Sequence, residues 1–226
     1  DIENHISSTF NNELSELNNT LLEMGGNLEK QISSLKQALL NRDEILAKKI
    51  ISFDEKIDNY ETASIEQIQL IIAKRQPVGV DLRILVGCSR ISGYMERAGD
   101  LLGSIAKRSI ILIEYNKLEE IDALINLSNH VENLFNDSLN SFAKKDFEAA
   151  SIVKNKDIEI DKIFNNFFSN LLKKMSNNSK IVVPGTHMLF MAKNYERIGD
   201  HATNIAECIS YMATGDIKQT RPKDNL

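Results

Sequence analysis

Carboxylates four residues apart on a helix stand one above the other on the same face, and this sequence repeats that arrangement. Two of the pairs belong to a motif that occurs twice, Glu-Arg-x-Gly-Asp. Glu96 and Asp100 lie in Tyr94-Met95-Glu96-Arg97-Ala98-Gly99-Asp100, and Glu196 and Asp200 lie in Asn194-Tyr195-Glu196-Arg197-Ile198-Gly199-Asp200. The same spacing joins Asp54 to Asp58 and Asp157 to Asp161. Carboxylates held this close repel one another, so the arrangement calls for a hard cation, a basic partner, or water on an exposed face. Divalent or trivalent metal binding is one reading, because hard cations favour several oxygen ligands. The other has the pairs solvated or salt-bridged, with Arg97 and Arg197 as neighbours or with a facing Lys, Arg or helix end. A lone Asp-x-x-x-Asp is common; recurrence at duplicated positions leaves the two readings in balance. His201, directly after Asp200, adds a nitrogen ligand or is a surface side chain, and the first copy has Leu101 there.

These carboxylates must be carried by helices. Glycine and proline are scarce, at ten and three in 226 residues, which suits long helices and disfavours a turn-rich β protein. Leu14, Leu17, Leu21, Met24, Leu28, Ile32, Leu35 and Leu39 recur at spacings of three and four and predict a helix over 12–41, preceded by a polar, extended arm. Gly25-Gly26 inside it marks a close helix contact or a bend rather than an end. Asp43 is the expected N-cap of a second helix to about residue 74, which Gln76-Pro77 ends. A third helix runs over 80–115. The plan then repeats over 116–145, 146–175 and 183–214, followed by a loose charged tail.

The repetition is visible in the spacing. Asp43, Ala47, Asp54, Ile57 and Asp58 match Asp146, Ala150, Asp157, Ile160 and Asp161 at an offset of 103. Glu96, Arg97, Gly99 and Asp100 match Glu196, Arg197, Gly199 and Asp200 at an offset of 100. The fold class expected is therefore all-α: two tandem pseudo-symmetric three-helix bundles of six long antiparallel helices, over residues 1–115 and 116–226. Helical-wheel arithmetic at ~100° per residue turns Asp54 and Asp58 inward and Asp157 and Asp161 to the edge of the apolar stripe. It turns Glu96, Asp100, Glu196 and Asp200 away from the core, so the two kinds of pair need not share one site. Gly99 and Gly199 would allow close approach beside them.

Composition narrows the function. A net charge of −5 gives no electrostatic footprint for nucleic acid or for docking on anionic lipid. Cys88 and Cys208 fall inside apolar helical patterns and read as buried, reduced thiols. Runs such as Ile110 to Ile113 are too short to span a bilayer, and no signal peptide is visible. No histidine has the Glu-x-x-His setting of a di-iron bundle enzyme, and no phosphate-cradling Gly-rich loop, Cys-x-x-Cys or Gly-x-Ser-x-Gly occurs. A binding module is favoured over an enzyme. A metal-storage or redox bundle holding iron or manganese is the alternative.

Several stretches together resemble the PhoU family: His5-Ile6-Ser7 with Phe10-Asn11-Asn12-Glu13-Leu14, Met24-Gly25-Gly26, Ile71-Ile72-Ala73-Lys74-Arg75-Gln76-Pro77, Asp81-Leu82-Arg83, and both Glu-Arg-x-Gly-Asp copies. The resemblance covers essentially the whole chain. It implies a usually dimeric, non-catalytic cytoplasmic protein that represses phosphate-starvation signalling through a PhoR-type sensor histidine kinase and the PstB-type ATPase of a phosphate transporter. It also implies iron, manganese, zinc or magnesium ions at Asp54, Asp58, Glu96, Asp100, Asp157, Asp161, Glu196 and Asp200. The second half lacks a counterpart of Gln76-Pro77 with Asp81-Leu82-Arg83, which makes Lys74, Arg75, Asp81 and Arg83 candidates for one-sided partner contact.

Overall fold

A computed structural model describes residues 2–216, and every regular element among them is helical. The first half holds α1 (Ile2–Asn41), α2 (Glu44–Ser52), α3 (Asp54–Arg75) and α4 (Val80–Leu112). The second holds α5 (Ile121–Lys144), α6 (Phe147–Asn177) and α7 (Val182–Thr214), with one 3-10 turn (Ser179–Ile181) before α7. The expected duplication is therefore present, with α1, α2–α3 and α4 answering to α5, α6 and α7. Capping follows the same plan: Asp43 accepts a hydrogen bond from the Leu46 amide and Asp146 from the Ala149 amide, each at 2.9 Å.

Two expectations need correction. The N-terminal arm is not extended, because α1 begins at Ile2. Phe10 and Leu14 continue the apolar stripe backward and pack on the core, so the nucleated helix propagates through the polar residues at little cost. The second helix of the first half is also broken. At Phe53 the amide bonds both the Lys49 and Ile50 carbonyls, at 3.1 and 3.2 Å, and a new helix starts at Asp54. Asp54 thereby occupies a first turn, where the helix dipole favours negative charge; α6 is continuous through Asp157. Residues 217–226, most of the tail expected to be loose, lie outside the described residues.

The two halves share one core. Within each, the helices pack on one another; between them, α4 lies along α7 and α1 along α5. Leu17, Leu21, Leu28, Ile91, Leu102, Phe135, Met191 and Ile205 are all buried in the continuous cluster. Gly25 is a close contact rather than a bend: a Cβ there would lie 2.7 Å from Leu139 Cδ2 of α5, whereas Gly26 has open space. Cys88 and Cys208 are buried free thiols. Among the described residues no helix is long and apolar enough to cross a membrane.

Candidate functional site

The glycine of each Glu-Arg-x-Gly-Asp copy explains how the carboxylates are brought together. A Cβ on Gly99 would lie 3.1 Å from Ile57 Cγ2, and one on Gly199 would lie 3.3 Å from Ile160 Cδ1. A Cβ at either position would be tighter than ordinary van der Waals contact, so glycine eases the approach of α4 to α3 and of α7 to α6. Ile57 sits between Asp54 and Asp58 on its helix, and Ile160 beside Asp157 and Asp161. The contact therefore pulls the two kinds of pair toward one another.

In the first half they form one acidic face, a meeting that the wheel left open. Burial, then Asp100 and Asp58, push the Asp54 carboxyl up, with Lys107 opposing. Burial, then Asp100, Glu61 and Asp58, push Glu96 up to about 7, with Arg97 opposing. Glu96 is half-buried and Asp100 exposed. The outward assignment held for Asp100 and failed for Glu96, because α4 is packed by α1, α2, α3 and α7. Pointing away from its own apolar stripe brings Glu96 to the side of α3 rather than into water. The inward assignment held in part, since Asp54 is half-buried while Asp58 is exposed. The Asp54 Oδ1 atom is buried and has no hydrogen-bond partner.

Glu61 is a fifth member that the sequence reading missed. It lies against α4, with its Oε1 3.5 Å from where a Cβ on Gly93 would be. Its position one turn beyond Asp58 on the same helix was the available signal.

The second face is built differently. Asp157 is 4% exposed and Glu196 8% exposed, so this Glu is buried rather than outward; Asp161 and Asp200 are half-buried. The offsets of the duplication pair Glu61 with Phe164 and Gly93 with Lys193. Lys193 Nζ lies 2.7 Å from Glu196 Oε2 and 5.4 Å from the Phe164 ring centroid. The acidic fifth residue is thus exchanged for an aromatic ring, and a glycine for a lysine that neutralises the glutamate. Among the described residues, no group of three or more His, Cys, Asp or Glu is arranged as a ready-made metal centre.

His201 does not join the carboxylates. It stacks on Tyr94 of α4, with ring centroids 5.9 Å apart. Burial, then Arg197 and Arg97, push its imidazole down to about 4. It belongs to the α4–α7 seam.

The junction residues separate into two groups. Arg75 is engaged within the chain, its Nε and Nη2 donating to Glu13 Oε2 and Oε1 at 3.0 and 2.9 Å. That bond to Arg75 is the main reason the Glu13 carboxyl is held below its usual range. Arg83 lies against Gly215, whose φ of +78° ends α7 in the left-handed region; a Cβ there would lie 2.0 Å from Arg83 Nη1. The guanidinium therefore sits close against the C-terminal end of α7, its Nε buried without a hydrogen-bond partner. Lys74 and Asp81 are exposed and remain available to a partner.

The PhoU domain profile matches residues 21–109 and 124–209, one match in each half. The chain is 41% identical over 224 residues to the phosphate-specific transport system accessory protein PhoU homolog of Rhizobium meliloti (strain 1021), covering 98% of this chain and 94% of that protein. It is 32% identical to the Escherichia coli (strain K12) phosphate-specific transport system accessory protein PhoU over 211 residues, covering 93% of this chain and 88% of that one. The crystal structure of PhoU from Pseudomonas aeruginosa superposes with a TM-score of 0.89 at 30% identity, covering 92% of this chain and all of that one.

Proposed function

The chain belongs to the PhoU family, and on that premise we propose that it is a non-catalytic regulator of phosphate uptake. It restrains phosphate-starvation signalling when phosphate is plentiful, by contacts with a sensor histidine kinase and with the ATPase of the phosphate transporter at the cytoplasmic side of the membrane. The observation that carries this reading is the similarity, over nearly the whole length, to accessory proteins of phosphate-specific transport. Homodimerisation is part of the proposal.

The acidic faces supply its second element, a hard cation. Their donors are all carboxylate oxygens, one of which, Asp54 Oδ1, is buried without a hydrogen bond. Such a set fits magnesium, manganese or iron better than zinc, which favours nitrogen and sulfur. Asp54, Asp58, Glu96 and Asp100 would hold an ion on the first face, and Asp157, Asp161, Glu196 and Asp200 on the second. Bound there, a cation would offset the mutual repulsion and fix α3 against α4 or α6 against α7.

The test is capture of the tagged chain from membranes of cells grown in high and low phosphate, with mass spectrometry of what co-purifies. Recovery of the sensor kinase and the transporter ATPase is expected, together with starvation-gene expression in high phosphate when the chain is deleted. Absence of both proteins from the capture, or unchanged expression after deletion, refutes the reading.

A further inference from the structure

The end of the α6–α7 hairpin is charged unlike the rest of the chain. From Lys162 to Tyr195 the sequence holds five lysines, Lys162, Lys173, Lys174, Lys180 and Lys193, and no aspartate or glutamate. The other 22 of the chain's 27 basic residues are set against all 32 of its acidic ones. The equivalent stretch of the first half carries Glu61, Glu66 and Asp81 among its cations. The net charge of −5 therefore conceals one locally cationic end.

Apolar side chains are exposed on the same end. Phe164, Phe168 and Leu172 recur every fourth residue on α6, and Val183 and Phe190 stand two turns apart on α7. Lys193, three residues beyond Phe190, has its Nζ 5.4 Å from the Phe164 ring centroid, so the two stripes share one side of the hairpin. Val183 and Phe190 are each 51% exposed and Leu172 is 43% exposed. The hairpin closes tightly beneath them. A Cβ on Gly185 would lie 2.9 Å from Met175 Sδ, and the Asn178 side chain accepts a hydrogen bond from the Lys180 amide at 3.1 Å. Lys174 is tied to Glu119 and Glu120, whereas among the described residues Lys173 and Lys180 make no ion pair. Arg108 of α4 adds a further cation, its Cζ 4.3 Å from the Phe190 ring centroid.

We infer that this end of the hairpin docks on an anionic phospholipid surface. Lysines on long apolar stems meet the headgroup phosphates, while the exposed phenylalanine, leucine and valine side chains enter the interface. Charge complementarity selects both the occupant and its orientation. An extended anionic plane repels the acidic remainder of the chain and accepts this end, so the protein stands on the membrane by the α6–α7 hairpin. Lysine ammoniums are point charges on flexible stems, which suits a field of mobile phosphates better than one bidentate partner. Docking of this kind is reversible, with each lysine worth about fivefold in affinity. The inference deepens the placement at the membrane proposed above, and pure lipid tests it apart from any partner protein.

The test is flotation of the full chain with vesicles of phosphatidylcholine alone, and of phosphatidylcholine and phosphatidylglycerol in equal parts. The chain should float with the mixed vesicles and not with phosphatidylcholine, and added sodium chloride should release it. Lys173→Glu and Lys180→Glu should each weaken flotation by at least about fivefold, and Phe190→Ser should weaken it at unchanged charge. Lys30→Glu, the same charge change at an exposed position of α1, should leave it unaltered. Circular dichroism melts check that the variants are folded, and sedimentation velocity reads their assembly state. No flotation on the mixed vesicles, equal flotation on both kinds of vesicle, or equal flotation of the wild type and all three hairpin variants overturns the surface. A hairpin variant that instead changes the mass of the assembly assigns the face to a second copy of the chain, which also overturns lipid docking.

Discussion

Glu96→Gln should stabilise this protein, and the gain should depend on pH. The folded carboxyl titrates near 7 against an ordinary value of 4.5. Below the ordinary value, both the folded and unfolded chains hold the proton and the group contributes no difference. Between the two values the folded chain keeps a proton that the unfolded chain has released, so stability falls as pH rises; above 7 the full penalty is in force. The separation sets a ceiling of about 3.4 kcal/mol. Glu96 is only half-buried, and solvent screening reduces that to about 1 kcal/mol. For a chain of this size such a gain raises Tm by about 2–4 °C. Glutamine keeps the shape and cannot ionise, so the variant should melt above the wild type at pH 8.5 and level with it at pH 4.5. Adding magnesium or manganese at pH 8.5 should stabilise the wild type more than the variant and so narrow the gap. Thermal melts by circular dichroism across this range read all three comparisons. A Glu96→Gln variant that is no more stable than wild type at pH 8.5 would refute the claim that the face is repulsive.

Four further outcomes follow from packing and charge. Gly25→Ala should destabilise by about 1–3 kcal/mol through overlap with Leu139, while Gly26→Ala should stabilise by about 0.5–1 kcal/mol on helix propensity alone; urea titration of the two adjacent variants separates the effects. Lys193→Met should leave Glu196 buried without its ion pair and lower stability at neutral pH by about 1–3 kcal/mol, read by urea titration. Lys74→Glu should keep Tm within about 1–2 °C of wild type and weaken capture of the sensor kinase or transporter ATPase. Arg83→Glu should lower Tm by itself, since it places a carboxylate at the C-terminal end of α7.

The sequence carried the helices and the duplication because both are local or periodic. Leu14 to Leu39 announce α1 by spacing alone, and Asp43 and Asp146 announce two starts that the structure caps as expected. The meeting of Asp54 and Asp58 with Glu96 and Asp100 was not legible, because a helical wheel knows one helix and not its neighbours. On α4, which has helices on several sides, being off the apolar stripe does not mean facing water. The break at Phe53 was hidden for a related reason. Nothing in Ile51-Ser52-Phe53-Asp54 is a strong helix breaker, and the interruption shows only in the bonding of one amide. The pairing of Arg75 with Glu13, 62 residues apart in the chain, and the approach of Arg83 to Gly215 were not legible either, because both are long-range.

The duplication also changes how the acidic faces should be compared. Identical motifs on equivalent helices suggest two equal sites, yet the residues that set their charge lie outside the motifs. Glu61 and Gly93 make the first face more acidic and leave it open, whereas Phe164 and Lys193 make the second partly apolar and internally neutralised. On the first face Lys107 and Arg97 offset the repulsion only in part, since Asp54 and Glu96 are still pushed up; such residual repulsion is what a cation relieves, so ions should load the first face before the second. The second face already has its compensating cation in Lys193. An ion there would have to compete with a tethered ammonium for Glu196, and the two halves of one duplicated chain would respond to different cation concentrations.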